Sequence, residues 1–165
     1  MPRLHALELV PDAAGDAAVR RDWQALRDAG LPSQLDHTGT TNSPHVTVLA
    51  LPVIDASVEA RAVELIGGLL PVTVHVSGLA FLGGEKVTVA RLLDVPPPVV
   101  RAVLDLRDQA GGERHPGWLP HVTLGRRIPR TEAQRVVDVL GYDDVALTLT
   151  TLRHWDPERR EVHPI

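Results

Sequence analysis

Apolar and polar positions along this chain follow two periods. A period of two, which places alternate side chains on opposite faces of a strand, runs through residues 3–10, 45–53, 72–81, 86–93, 119–128, 145–152 and 162–165. Between these runs, apolar residues recur at three- and four-residue spacing, the signature of a helix with one buried face. Val19, Trp23, Leu26 and Ala29 carry that pattern in 12–29, and Val58, Ala62, Leu65, Ile66 and Leu69 carry it in 57–70. Further helices are predicted over 96–110 and 131–140. The punctuation agrees with these boundaries. Pro11 closes the first strand, Gly30 and Pro32 stop the first helix, and Pro96-Pro97-Pro98 stands where a helix tolerates proline, at its start. Gly83-Gly84 predicts a hairpin between two strands, and Gly111-Gly112 ends the third helix. Thr131 is the expected N-cap of the last helix, without a capping-box partner three residues on. Residues 33–43 read as a polar loop.

The order of elements repeats. Strand, helix, alternating strand, turn and short strand occur in each half, and Val72-Thr73-Val74-His75-Val76 answers Val145-Ala146-Leu147-Thr148-Leu149. Two copies make a duplication inside one domain rather than a solenoid. The expected architecture is therefore α+β. It is a single bilobal domain over residues 1–165, with two mainly antiparallel sheets facing a central cleft and helices on the outer faces.

Composition narrows the function. A hydrophobic content of 44% over 165 residues supports one real core. A net charge of −4 removes the global attraction on which non-specific nucleic-acid binding depends. Aromatic residues are few (Phe81, Tyr142, Trp23, Trp118, Trp155), which argues against a long stacking platform for single strands. With no cysteine there is neither a disulfide framework nor a thiolate metal site. No signal-peptide pattern and no membrane-length apolar run is present, so a cytoplasmic protein is the expectation; a monomer is expected as well.

The chemistry-bearing pattern occurs twice: Pro44-His45-Val46-Thr47-Val48, and almost half a chain-length later Pro120-His121-Val122-Thr123-Leu124. In a strand, His45 and Thr47 share one face and Val46 and Val48 the other, as do His121 and Thr123 against Val122 and Leu124. Each copy sets an imidazole beside a hydroxyl. Imidazole titrates near neutrality, so one histidine can be neutral while its partner is charged.

Two His-x-Thr motifs in matched strands of a duplicated α+β chain resemble the 2H phosphoesterase superfamily. The branch is that of the 2′-5′ RNA ligase-like proteins, or RNA 2′,3′-cyclic phosphodiesterases. Pro120-His121-Val122-Thr123-Leu124-Gly125-Arg126 is similar to that branch's Pro-His-x-Thr-Leu-x-Arg. The resemblance implies metal-independent opening of 2′,3′-cyclic phosphates, with a 2′-phosphate product and a possible reverse ligation. It makes His45 and His121 the acid–base pair, with His121 on the water-activating side, and Thr47 and Thr123 the donors to phosphate oxygens. The implied partner is RNA with a cyclic-phosphate end or a small cyclic nucleotide, with no cofactor, metal or membrane.

Arg126 is a further phosphate candidate, although alternation sends it to the face opposite His121 unless a bulge near Gly125 re-aims it. His75 and Thr148 occupy matching polar-face positions that could line the cleft, and Trp155 or Phe81 could stack on a base. His5 is placed for a cleft role only by its position in the first strand, while His37, His115, His154 and His163 read as solvent-exposed loop or turn residues. Arg153 with Arg159-Arg160 forms a basic cluster that reads as a solvated edge. Two other functions compete: a nucleotide- or phosphate-binding module without turnover, and a metal-dependent hydrolase using His45, His121 and His75. The last lacks carboxylates at ligand spacing near either motif.

Overall fold

Each strand and helix expected from the pattern is present in the structure, a computed structural model that describes residues 3–112, 114–142 and 144–165. The strands are β1 (His5–Pro11), β2 (Val46–Leu51), β3 (Val72–Gly83), β4 (Lys86–Asp94), β5 (His121–Pro129), β6 (Ala146–Asp156) and β7 (Glu161–Pro164). The helices are α1 (Ala13–Asp28), α2 (Ala56–Ile66), α3 (Pro97–Ala110) and α4 (Ala133–Leu140). Their starts follow from local chemistry. The Asp12 carboxylate accepts from the Gly15 amide at the start of α1, and Asp55 accepts from the Ser57 and Val58 amides at the start of α2. Pro97 and Pro98 open α3, where their missing N–H groups have no intrahelical partner to lose.

Thr131 does not cap α4. A 3₁₀ turn over Arg130–Glu132 precedes that helix, and its cap position is Glu132. Arg130 is pinned instead to the β3–β4 hairpin. Its amide donates to Glu85, and its guanidinium donates to the carbonyls of Gly83 and Gly84 at 2.7 and 2.8 Å. That anchorage sets the turn first and starts the α-helix later.

Strand pairing is antiparallel throughout and runs β2-β1-β6-β3-β4-β5, with β7 on β6. Hydrogen bonding continues across β6, so the two expected sheets are the wings of one seven-stranded sheet. The order is palindromic when β2 is matched with β5, β1 with β4 and β6 with β3. At the centre, Val74 pairs with Leu147, Thr73 with Thr148 and Val72 with Leu149. Where β3 ends its pairing, β7 takes up the same edge of β6, from Arg153 to Asp156.

Helices α2 and α3 pack on the β2-β1-β6 wing, whereas α1 crosses to lie with α4 against the other wing, in contact with β5 and β6. Leu7, Leu9, Leu49, Ile66 and Leu106 are buried, as are Trp23, Leu26, Leu124, Val136 and Leu147. Each such side chain stabilises the fold by about 1.5–3 kcal/mol through removal of apolar surface from water. Among the described residues no helix is long and apolar enough to cross a membrane.

Candidate active site

Both motif strands break their ladder at the same place. In the β1–β2 pair, Leu7 faces Leu49 and Glu8 faces Thr47, leaving no residue opposite Val48. In the β4–β5 pair, Val89 faces Gly125 and Ala90 faces Thr123, leaving none opposite Leu124. The extra residue after each threonine is a β-bulge, which bends the strand and shifts the facing of the residues beyond it. Val48 and Leu124 are both fully buried, so each bulge is nailed into the core while the motif in front of it faces outward. On β5 the bulge lies two residues before Arg126. The Arg126 side chain lines the same cavity as His45 and Thr47.

The two histidines are held alike. His45 Nδ1 lies 2.8 Å from the Ser43 carbonyl, and His121 Nδ1 lies 2.6 Å from the Leu119 carbonyl. A carbonyl oxygen only accepts, so Nδ1 must carry the proton in each ring, and Nε2 is left as the nitrogen that can exchange one. The threonine carbonyls are matched too. Trp118 donates its indole N–H to Thr47 at 2.9 Å, and Trp23 donates to Thr123 at 3.0 Å. Trp118 stands just before His121 in the chain, so its bond ties the edge of β2 to the start of β5 and brings the outermost strands of the sheet together.

Among the described residues, only the first motif has an ionic neighbour. His45 Nε2 is 3.4 Å from Glu8 Oε1. Glu8 Oε2 accepts from Nε of Arg153 at 2.8 Å and pairs ionically with its Nη2 at the same distance. Arg153 also donates to the Ser43 hydroxyl at 2.8 Å, and Ser43 supplies the carbonyl under His45. The chain His45–Ser43–Arg153–Glu8 thus closes on itself. Glu8 and Arg153 are buried, at 5% and 9% exposure, so neither charge is tolerable without the other. In the second motif the corresponding register positions are Ala90 and Ala80. The strands match; the electrostatics do not.

The cavity in front of the first motif measures about 510 Å³ and is walled by Glu8, Gln34, His37, Asn42, His45, Thr47, Arg126, Arg153 and Trp155, among others. A neighbouring cavity of about 520 Å³ shares Gln34, His37 and Arg126 and continues past Arg127 and Asp36. The Asp36 carboxyl is held below its ordinary value by the Ser33 amide and the Arg27 guanidinium. His121 and Thr123 are half-buried on β5 and are not among the residues walling either cavity. His75 and Thr148 lie on β3 and β6, His75 exposed and Thr148 half-buried, and neither lines them.

Glu8 and Gln34 are site residues that the sequence does not single out. Glu8 leaves a signal there, a lone carboxylate between Leu7 and Leu9, but its partner Arg153 lies far along the chain. Arg153 is corrected from a solvated edge to a buried ion pair. His154 is corrected from exposed to buried, at 5%, because β6 runs four residues beyond its expected end. His5 is also buried, on the face opposite Glu8 and away from the cleft, and Phe81 packs against the core.

The fold is that of the LigT-like phosphoesterases. The crystal structure of apo E. coli LigT matches at 17% identity with a TM-score of 0.57, covering 99% of this chain and 95% of LigT. LigT complexed with 3′-AMP matches at 16% identity and 0.53, covering 99% and 95%. A further crystal structure, of a phosphoesterase, matches at 18% identity and 0.55, covering 99% and 96%. At such identities the likeness is one of fold. The sequence itself matches the family model of the 2′-5′ RNA ligase superfamily over residues 14–161, and the chain belongs to that family of 2H phosphoesterases. No curated protein matches it in sequence.

Proposed function

We propose that this protein opens 2′,3′-cyclic phosphates at RNA ends or on nucleotides, without a metal, using His45 and His121 as an acid–base pair. The observation that carries the reading is the common Nδ1 anchorage, which leaves Nε2 as the exchanging nitrogen in both motifs. Two imidazoles set up for proton transfer are what hydrolysis of a phosphodiester requires, one on each side of phosphorus.

The difference between the motifs supports a division of labour. His45 Nε2 has the Glu8 carboxylate 3.4 Å away, an acceptor that can orient an Nε2–H, and on that geometry His45 is assigned as the acid. His121, whose register neighbour is Ala90 instead, is the base. In the step, His121 Nε2 takes a proton from water as the water oxygen bonds to phosphorus. The bond from phosphorus to one ribose oxygen breaks, and His45 Nε2–H protonates that oxygen. The hydroxyls of Thr47 and Thr123 and the guanidinium of Arg126 bind the non-bridging oxygens as charge builds on them. The superfamily likeness favours a 2′-phosphate product. That LigT is found complexed with 3′-AMP is consistent with a nucleotide-sized ligand.

A leaving-group comparison tests the assignment. A p-nitrophenyl phosphodiester expels an anion that needs no proton, whereas a cyclic nucleotide expels an alkoxide that does. His121→Ala should lose about 10²–10⁴-fold in kcat on both substrates, and His45→Ala should lose that much on the cyclic nucleotide only. Equal losses for both variants on both substrates would defeat the division of roles.

A further inference from the structure

On the opposite face of the sheet from the cleft, three ligand-bearing side chains converge from three elements: Glu59 of α2, His154 of β6 and His163 of β7. One carboxylate oxygen, Glu59 Oε1, lies 2.5 Å from His154 Nδ1 and 3.0 Å from His163 Nε2, and all the donor atoms fall within 4.8 Å of one another. We propose that this cluster is a binding site for a borderline divalent cation of the Zn²⁺ type, separate from the phosphoesterase chemistry.

Two imidazoles and a carboxylate are a donor set that suits zinc, with bonds of about 2.0–2.2 Å, and does not suit magnesium or calcium, which take oxygen. Bringing the three atoms around one ion needs only small side-chain movements. His163 is exposed and Glu59 partly so, which gives the ion an approach and leaves room for a water as fourth ligand. Behind them, His154 Nε2 is 2.9 Å from Nδ1 of the buried His5. With Nδ1 of His154 on the metal, its Nε2–H donates to His5, and this outer bond fixes the tautomer and ring orientation that ligation needs. A surface ion pair would not need a buried second imidazole in that place.

The protons balance. Without metal, the Glu59 oxygen accepts N–H groups from both rings. On binding, a neutral His163 moves its proton from Nε2 to Nδ1 through solvent and an imidazolium releases it; His154 moves its proton from Nδ1 to Nε2, with the His5 proton passing from Nδ1 to its own Nε2 so that His154 Nε2–H is the donor between the rings, while the carboxylate stays ionised. The ion would tie α2 to the β6–β7 hairpin, whose last strand is four residues long.

Equilibrium dialysis of the full chain against Zn²⁺, with Co²⁺ absorption as a report of tetrahedral ligation, tests this directly. The expected result is one ion per chain, with affinity reduced at least about tenfold in His163→Ala and in Glu59→Gln, and about 10–100-fold in His5→Ala. Because His5 and His154 are buried, the exposed His163 variant is the decisive one, and its cyclic-nucleotide turnover should equal that of wild type. No stoichiometric binding by wild type would overturn the proposal. So would binding that His163→Ala and Glu59→Gln leave unchanged, since the ion would then lie elsewhere, for example on the motif histidines.

Discussion

A protonated Nδ1 facing a backbone carbonyl makes each motif histidine a one-ended device, and that is a property of two residues and their local turn. The spacing of His45 and Thr47 is legible in the sequence because alternation alone puts them on one face. The ring around His45 is not, because its charges come from β1 and β6 and meet only through strand register. The Glu8–Arg153 pair gives a prediction at this scale. Removing one buried partner strands the other, so Glu8→Ala should destabilise the fold by about 3–5 kcal/mol in chemical denaturation. Replacing both by apolar residues of similar volume should recover most of that loss. A Glu8→Ala protein as stable as wild type would show that the pair carries no structural weight.

At the scale of elements, the four helices and seven strands among the described residues are readable from periodicity, because all but the short β7 have buried residues on one face and open ones on the other. What periodicity misses is where a ladder slips. A bulge is written in register rather than in composition, and only the pair of consecutive buried residues after each threonine (Val48-Leu49 and Leu124-Gly125) hints at it. Gly125 has a second reason to be glycine. A Cβ there would lie 2.5 Å from the Pro32 carbonyl oxygen and 3.0 Å from Ile128 Cδ1. The backbone leading into the Gln34 turn therefore packs directly on the bulged strand. Gly125→Ala should cost about 1–3 kcal/mol through overpacking, read as a lowered denaturation midpoint. It should also weaken cyclic-nucleotide turnover, since it displaces the loop that supplies Gln34 and His37 to the cavity. Undiminished stability and turnover would mean that this close approach is not needed.

Over the whole molecule, one palindromic sheet carries the cleft on one face and a histidine–carboxylate cluster on the other, and acid acts on several carboxylates at once. Burial pushes the Glu59 carboxyl up, but hydrogen bonds from His154 and His163 outweigh it and hold it below its ordinary 4.5. Asp36, on the Ser33 amide, and Asp156, on the Arg159 amide, lie below their ordinary 3.8. A carboxyl lowered in the folded state contributes stability above its unfolded value and loses it as pH falls through the folded one. The fold should therefore hold its stability above pH 4.5 with respect to these groups and lose it progressively below. The Glu59→Gln variant should show a shallower acid limb in denaturation at stepped pH. An unchanged limb would remove Glu59 from the account.

The most direct measurement of the central claim is hydrolysis of nucleoside 2′,3′-cyclic phosphates and of short RNA ending in one, with EDTA present, by wild type, His45→Ala and His121→Ala. Turnover that persists in EDTA and falls by about 10²–10⁴-fold in each variant is the predicted result. Chelation at the Glu59 cluster would leave it unaffected. Wild-type protein that binds nucleotide without turning it over, or a variant that keeps full activity, would contradict the two-histidine mechanism.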